Sequence, residues 1–266
     1  MVDTAQQQAD DIRSTAHELA NAAAGAILPL FRRLDLSIDN KLNTGFDPVT
    51  EADRAAEQAM RAVLAKRRPD DGILGEEYGP QEGSSGLTWV LDPIDGTRGF
   101  MAGTPTWGVL IALCDETGPR YGMVAQPYTQ ERFSGGFGAA EFVGPHGHGP
   151  LQVRAARGLD SAVLLTTFPE VGTPEEGAAF ARVAQDVQLA RYGLDCYGYA
   201  LLAAGQVDLV IEAGLQRYDI AAPLALIEAA GGIVTNWQGG PAHEGGQVIA
   251  AASRRVHEAA LARLNA

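Results

Sequence analysis

The chain has 266 residues and a formal net charge of −13; that length can bury a substantial core in one large domain or two closely joined ones. The acidity opposes general nucleic-acid binding, which relies on Lys and Arg to neutralise phosphates. The two cysteines, Cys114 and Cys196, form no CxxC and exclude a metal–thiolate site; no apolar run spans a bilayer, and no basic-then-apolar leader opens the chain, so a cytoplasmic protein is expected.

Residues 4–33 repeat apolar positions at helical spacing (Ala16, Leu19, Ala20, Ala23, Ile27, Leu30) and predict a long amphipathic helix. Asp47-Pro48 predicts a turn. Thr50 suits the N-cap of a helix running to about Lys66, with Asp53 at its N3 position. Residues 72–79 predict a short strand that opens into an acidic, Gly- and Pro-rich loop of mobile character carrying Glu76 and Glu77.

Trp89-Val90-Leu91 predicts a buried strand. It breaks at Pro93, which cannot donate to a sheet ladder. Asp92 and Asp95 flank the break, and Thr97 is placed to cap a short helix from Arg98. Carboxylates suit a hard cation and free amides suit a phosphate. Taken alone, the run also reads as an acidic turn. If strand 72–75 pairs with this one, Glu76, Asp92 and Asp95 converge at one sheet edge.

Residues 106–142 alternate as strands and predict an antiparallel meander packed on the first helices. The run His146-Gly147-His148-Gly149-Pro150 is the candidate boundary, dividing an N-terminal half (1–148) from a C-terminal half (149–266). Beyond it, strands at 162–167, 191–195, 207–212, 233–235 and 248–251 alternate with helices, which predicts an α/β half. Asp195 and Asp219 both stand where helix N-caps are expected. No GxGxxG follows a strand and no GxxxxGK[ST] occurs, so dinucleotide and Walker-type readings lack support.

Three separated segments now carry a resemblance. Asp92-Pro93-Ile94-Asp95-Gly96-Thr97, preceded by Gly75-Glu76-Glu77 and followed by Tyr218-Asp219-Ile220-Ala221-Ala222, resembles the inositol monophosphatase superfamily over nearly the whole chain. The wording Asp95-Gly96-Thr97-Arg98-Gly99-Phe100, Gln126-Pro127-Tyr128-Thr129 with Glu131-Arg132-Phe133, and Asp195-Cys196-Tyr197 is most similar to the histidinol-phosphatase branch. Tyr218 departs from the Trp common at that place.

The resemblance implies a layered αβαβα sandwich of α/β (α+β) class, with an antiparallel N-terminal sheet half and a mixed C-terminal half. It implies a Mg²⁺-dependent, lithium-sensitive phosphomonoesterase, commonly a homodimer, acting on a small phosphate ester and not on nucleic acid or membrane. Glu76, Asp92 and the Ile94 carbonyl would hold a first Mg²⁺. Asp92, Asp95 and Asp219 would hold a second, and Glu76 a weaker third largely through water. Thr97 and Glu76 would orient the attacking water, with Asp53 as proton acceptor and Asp47, Thr50 and Asp53 supporting the shell. The Gly96 and Thr97 amides, Arg98 and Lys41 would meet the substrate. Asp195 and Glu212 would face the leaving group and favour a cationic alcohol, so L-histidinol phosphate, a histidine-biosynthetic intermediate, is the expected substrate. Inositol 1-phosphate or a nucleotide or sugar phosphate is the alternative, and a non-catalytic binding protein is the reading from a different class.

Overall fold

The computed structural model describes residues 4–35, 38–40 and 48–266. The chain opens with α1 (Thr4–Ile27), β1 (Ile38–Asn40), β2 (Pro48–Thr50), α2 (Glu51–Arg67), β3 (Gly72–Gly75), β4 (Gly79–Gln81), β5 (Thr88–Asp95) and α3 (Thr97–Met101). A meander follows: β6 (Gly108–Asp115), β7 (Gly118–Gln126), β8 (Glu131–Gly136), β9 (Ala139–Gly144) and β10 (Gly147–Pro150). The remainder is β11 (Val163–Thr166), α4 (Pro174–Ala184), β12 (Leu189–Tyr192), α5 (Asp195–Ala203), β13 (Leu209–Leu215), α6 (Arg217–Ala229), β14 (Ile233–Thr235), β15 (Gly246–Ala251) and α7 (Arg254–Leu264).

The first large sheet has the order β10-β9-β8-β7-β6-β5-β3-β4, antiparallel except where β3 runs parallel to β5. The second has the order β12-β11-β13-β15-β14, with β11 parallel to both of its neighbours. Helices α1 and α2 cover one face of the first sheet, and α6 covers the other. Helix α5 lies between α6 and the second sheet, whose outer side carries α4 and α7. The result is the expected αβαβα layering, with apolar cores between successive layers. Helix α6 reaches β7 closely because Gly122 has no side chain: a Cβ there would lie 2.1 Å from the Ala222 carbonyl oxygen.

Several boundaries differ from the sequence reading. Helix α1 stops at Ile27 instead of residue 33, because Pro29 cannot donate the next helical bond and disfavours helical geometry just before it. The stretch around His146 is the β9–β10 hairpin, and β10 belongs to the first sheet, which therefore ends at Pro150. The Gly-rich loop after β4 is fastened, since the amides of Ser84 and Ser85 both donate to the Asp70 carbonyl.

Candidate active site

Strand β5 delivers the central carboxylates. It pairs with β6 through Asp92, then slips register before Asp95 at the Pro93-Ile94 break. That irregularity lets two acidic residues project from one strand end. The Asp92 side chain accepts from the Ile94 amide at 3.0 Å, and an Asp95 oxygen accepts from the Cys196 amide at 2.6 Å. Asp219 arrives on the first turn of α6. Carboxylate oxygens of Asp92, Asp95 and Asp219 lie within 4.8 Å of one another. Strand β3 ends beside β5, with Gly75 opposite Leu91, so Glu76 stands within hydrogen-bonding and electrostatic reach of Asp92. The predicted convergence of Glu76, Asp92 and Asp95 is therefore present.

The cluster is electrostatically costly as it stands. Burial pushes the Asp92 carboxyl well above the usual carboxylate range, and repulsion from Glu76, Asp95 and Asp219 adds to the shift. Asp95 is raised by burial too, then by Asp195 and Asp219, against the opposing Cys196 amide. Acid side chains crowded out of water favour the proton or a cation over the bare charge. An all-oxygen donor set of this kind fits a hard divalent ion. Tyr199, buried within electrostatic reach of Glu212, Asp95 and Asp219, has a hydroxyl without a hydrogen-bond partner among the described residues.

Beside the cluster, Thr50 and Asp53 form the predicted capping box at the start of α2. Asp53 Oδ2 accepts from both the Thr50 amide (2.8 Å) and hydroxyl (2.5 Å). Its other oxygen faces the Thr97 hydroxyl at 3.5 Å, while that hydroxyl donates to the Ile94 carbonyl at 3.1 Å. Burial lifts Asp53 to about 6 despite the Thr50 hydrogen bonds. The expectation that Thr97 caps a helix starting at Arg98 is corrected. Helix α3 begins at Thr97, and Gly96 takes the N-cap place in a left-handed conformation (φ 86°) that suits glycine.

Asp95, Gly96, Thr97, Arg98, Asp195, Glu212 and Asp219 line one cavity of about 310 Å³. Asp195 is not an N-cap: Leu194 holds that place, and Asp195 is the first helical residue with a positive φ of 45°. Burial raises it to about 6, partly offset by the Arg98 guanidinium. Asp219 is not an N-cap either. It is the N3 residue, accepting from the amide of Gln216, which caps α6. Glu212 accepts from the Thr167 amide (3.1 Å) and hydroxyl (2.7 Å), and burial lifts it to about 7. Lys41 and Asp47 lie outside the described residues.

Sequence reasoning missed Thr167 and Phe168. Phe168 lines the cavity beside Val171 and Leu215, and the Arg98 guanidinium lies 4.8 Å from its ring centre. Nothing local marks them, because they meet the site only through the β11 parallel pairing that brings their loop beside β13.

Comparison with known proteins agrees with this geometry. The inositol monophosphatase family model matches residues 8–266. This chain belongs to the inositol monophosphatase family. It is a phosphatase of that family, whose members are metal-dependent, typically on Mg²⁺, and it carries the acidic cluster such an ion requires. Histidinol-phosphatase of Mycobacterium tuberculosis is 36% identical over 239 residues, 89% of this chain and 91% of that protein. The chloroplastic bifunctional phosphatase IMPL2 of Arabidopsis thaliana is 40% identical over 86% of this chain, a match that spans 65% of that relative's length. The solved inositol monophosphatase of Zymomonas mobilis is 42% identical with a TM-score of 0.85, covering 97% of this chain and 98% of that one. No helix among the described residues is long and apolar enough to cross a membrane.

Proposed function

We propose that this family member hydrolyses L-histidinol phosphate to L-histidinol and phosphate. The supporting observation is that Asp195 and Glu212 line the same cavity as Asp95 and Asp219. A substrate whose phosphate meets the acidic trio thus presents its alcohol to further carboxylates. A cationic alcohol gains Coulomb attraction there, worth about 4 kcal/mol at ~4 Å and an effective dielectric near 20 before desolvation is subtracted. A neutral polyol gains none. Arg98 already offsets part of the Asp195 charge, so selection for a cation rests chiefly on Glu212. Phe168, Val171 and Leu215 add apolar wall for a flat ring.

Glu76, Asp92 and the Ile94 carbonyl would hold one divalent ion, and Asp92, Asp95 and Asp219 a second. When bound, the ions would supply Lewis acidity and charge neutralisation at the phosphoryl group. The Gly96 and Thr97 amides open α3, where the first N–H groups have no intrahelical acceptor, and would bind phosphate oxygens. Glu76 and the Thr97 hydroxyl would orient the attacking water. Thr97 would pass its proton towards Asp53 Oδ1, whose pKa of about 6 suits a base working near neutrality. Thr50 fixes that carboxylate through two hydrogen bonds.

Phosphate release from L-histidinol phosphate, inositol 1-phosphate, fructose 1,6-bisphosphate and adenosine 3′,5′-bisphosphate at fixed Mg²⁺ tests the reading. The expected result is cation-dependent turnover with the highest kcat/KM for L-histidinol phosphate. A higher value for inositol 1-phosphate would overturn the substrate, and no release from any ester would overturn the enzyme.

A further inference from the structure

Glu57, on the inner face of α2, is buried with 0% of its side chain exposed. Its charge is answered by Arg61, whose Nε lies 2.8 Å from Oε1. The same carboxylate also reaches out of the helix. Oε2 accepts from the Glu77 amide at 2.7 Å, and Oε1 accepts from the Tyr78 amide at 3.2 Å. Arg61 donates its NH2 group to the Gly79 carbonyl. Glu76, Glu77 and Tyr78 are the three residues of the turn between β3 and β4, which pair through Gly75 and Gly79. The Glu76 amide itself donates to Leu91. All three turn amides therefore have acceptors, two of them on one buried anion. Gly75 is required for this arrangement, because a Cβ there would sit 1.9 Å from Glu57 Oε1.

A hairpin turn of three residues with exposed amides would sample several conformations. A buried carboxylate receiving two N–H groups selects one, since breaking either bond leaves the buried anion one donor short. Glu76 is the first residue of that turn and the one beside Asp92. We infer that Glu57 is a positioning residue that sets the Glu76 carboxylate against Asp92 for divalent-cation binding; the inference rests on the reading of Glu76 and Asp92 as cation ligands. Glu57 touches neither cation nor substrate and acts through the turn backbone. Groups bonded directly to a metal ligand change metal affinity by roughly 10- to 100-fold when lost; Glu57 holds the next two residues of the turn, so its loss belongs at the lower end of that range.

The test is direct Mn²⁺ binding by electron paramagnetic resonance, with amide hydrogen exchange, on the whole chain. Wild type is compared with Glu57→Gln, Glu57→Asp, Glu76→Gln and Asp71→Asn. Asp71 is a buried carboxylate just before β3, bonded to Arg68 and Trp89 and remote in role from the turn. Glu57→Gln is expected to weaken Mn²⁺ binding about 10-fold or more and to speed exchange at Glu77 and Tyr78. Glu57→Asp keeps the charge but loses reach, and gives the same result should Glu57→Gln fail to fold. Asp71→Asn lowers Tm and leaves Mn²⁺ affinity within about twofold. Weakened binding in Glu76→Gln with unchanged binding in both Glu57 variants would overturn the positioning role. Unchanged binding in Glu76→Gln would instead sink the ligand reading beneath it.

Discussion

In the proposed reading, substrate choice turns on Glu212. Removing its charge with Glu212→Gln should lower kcat/KM for L-histidinol phosphate by 10-fold or more while changing that for inositol 1-phosphate far less, as steady-state kinetics would read. The same residue sets a pH effect on stability. Its folded pKa of about 7 lies above the ordinary 4.5, so folding binds its proton more tightly than the unfolded chain does. The penalty for the buried charge is absent below about pH 4.5, grows as pH rises through 7, and is complete above it. In chelator-treated protein, Glu212→Gln should therefore raise Tm at pH 8, by an amount equivalent to a few kcal/mol at most, and leave it unchanged near pH 4. Asp53 makes a second residue-scale prediction. If it is the proton acceptor proposed above it must be ionised, so kcat should fall on the acid side as Asp53, whose carboxyl burial raises above the usual range, takes up its proton. Asp53→Asn should cut kcat by roughly 10²- to 10⁴-fold and remove that acid limb.

Elements differ in how plainly the sequence announced them. The meander β6–β9 was legible because its residues alternate and Gly-Pro and Pro-Tyr punctuate its turns. The capping box of α2 was legible because Thr50 and Asp53 carry its whole chemistry. Thr97 was misplaced because a left-handed glycine at Gly96 starts α3 without any hydroxyl, which frees Thr97 to turn back on Ile94 and Asp53. Asp195 and Asp219 were misplaced by one and three positions along their helices, since any acidic residue near a helix start looks like a cap. Glu57 gave no signal at all. It is one charge among several on α2, and only the pairing of β3 with β4 and β5 brings a turn over it. Packing between elements is tested at Gly122. A Val there would drive methyl groups into the α6 backbone at Ala222, so Gly122→Val should cost about 1–3 kcal/mol or more and lower Tm in thermal melts.

At the scale of the whole molecule, the site sits where the two sheets meet. Asp92 and Asp95 come from the first sheet, Glu212 from the second, and Asp195 and Asp219 from the helices between them. The proposed halves, 1–148 and 149–266, thus share the cavity, and α6 of the second half also seals a face of the first sheet. A cation bound to this cluster stabilises only the assembled chain. At 100 times its Kd it would add about 2.7 kcal/mol. Chelation should therefore lower Tm, and more at pH 8 than at pH 5. Burial raises the pKa of Asp92 and Asp95, so at the lower pH protons replace the lost cation and at the higher pH nothing does. Equal shifts at the two pH values would contradict this account of the cluster.

Helix α6 brings Asp219 to the cluster and presses Ala222 against Gly122 of β7 at once. The third carboxylate of the trio is therefore synthesised long after the other two and arrives only when that helix docks. A nascent chain has no completed cation cage to template its collapse. A cation that needs all three carboxylates would bind only after that docking, and so would slow unfolding while leaving the folding rate unchanged.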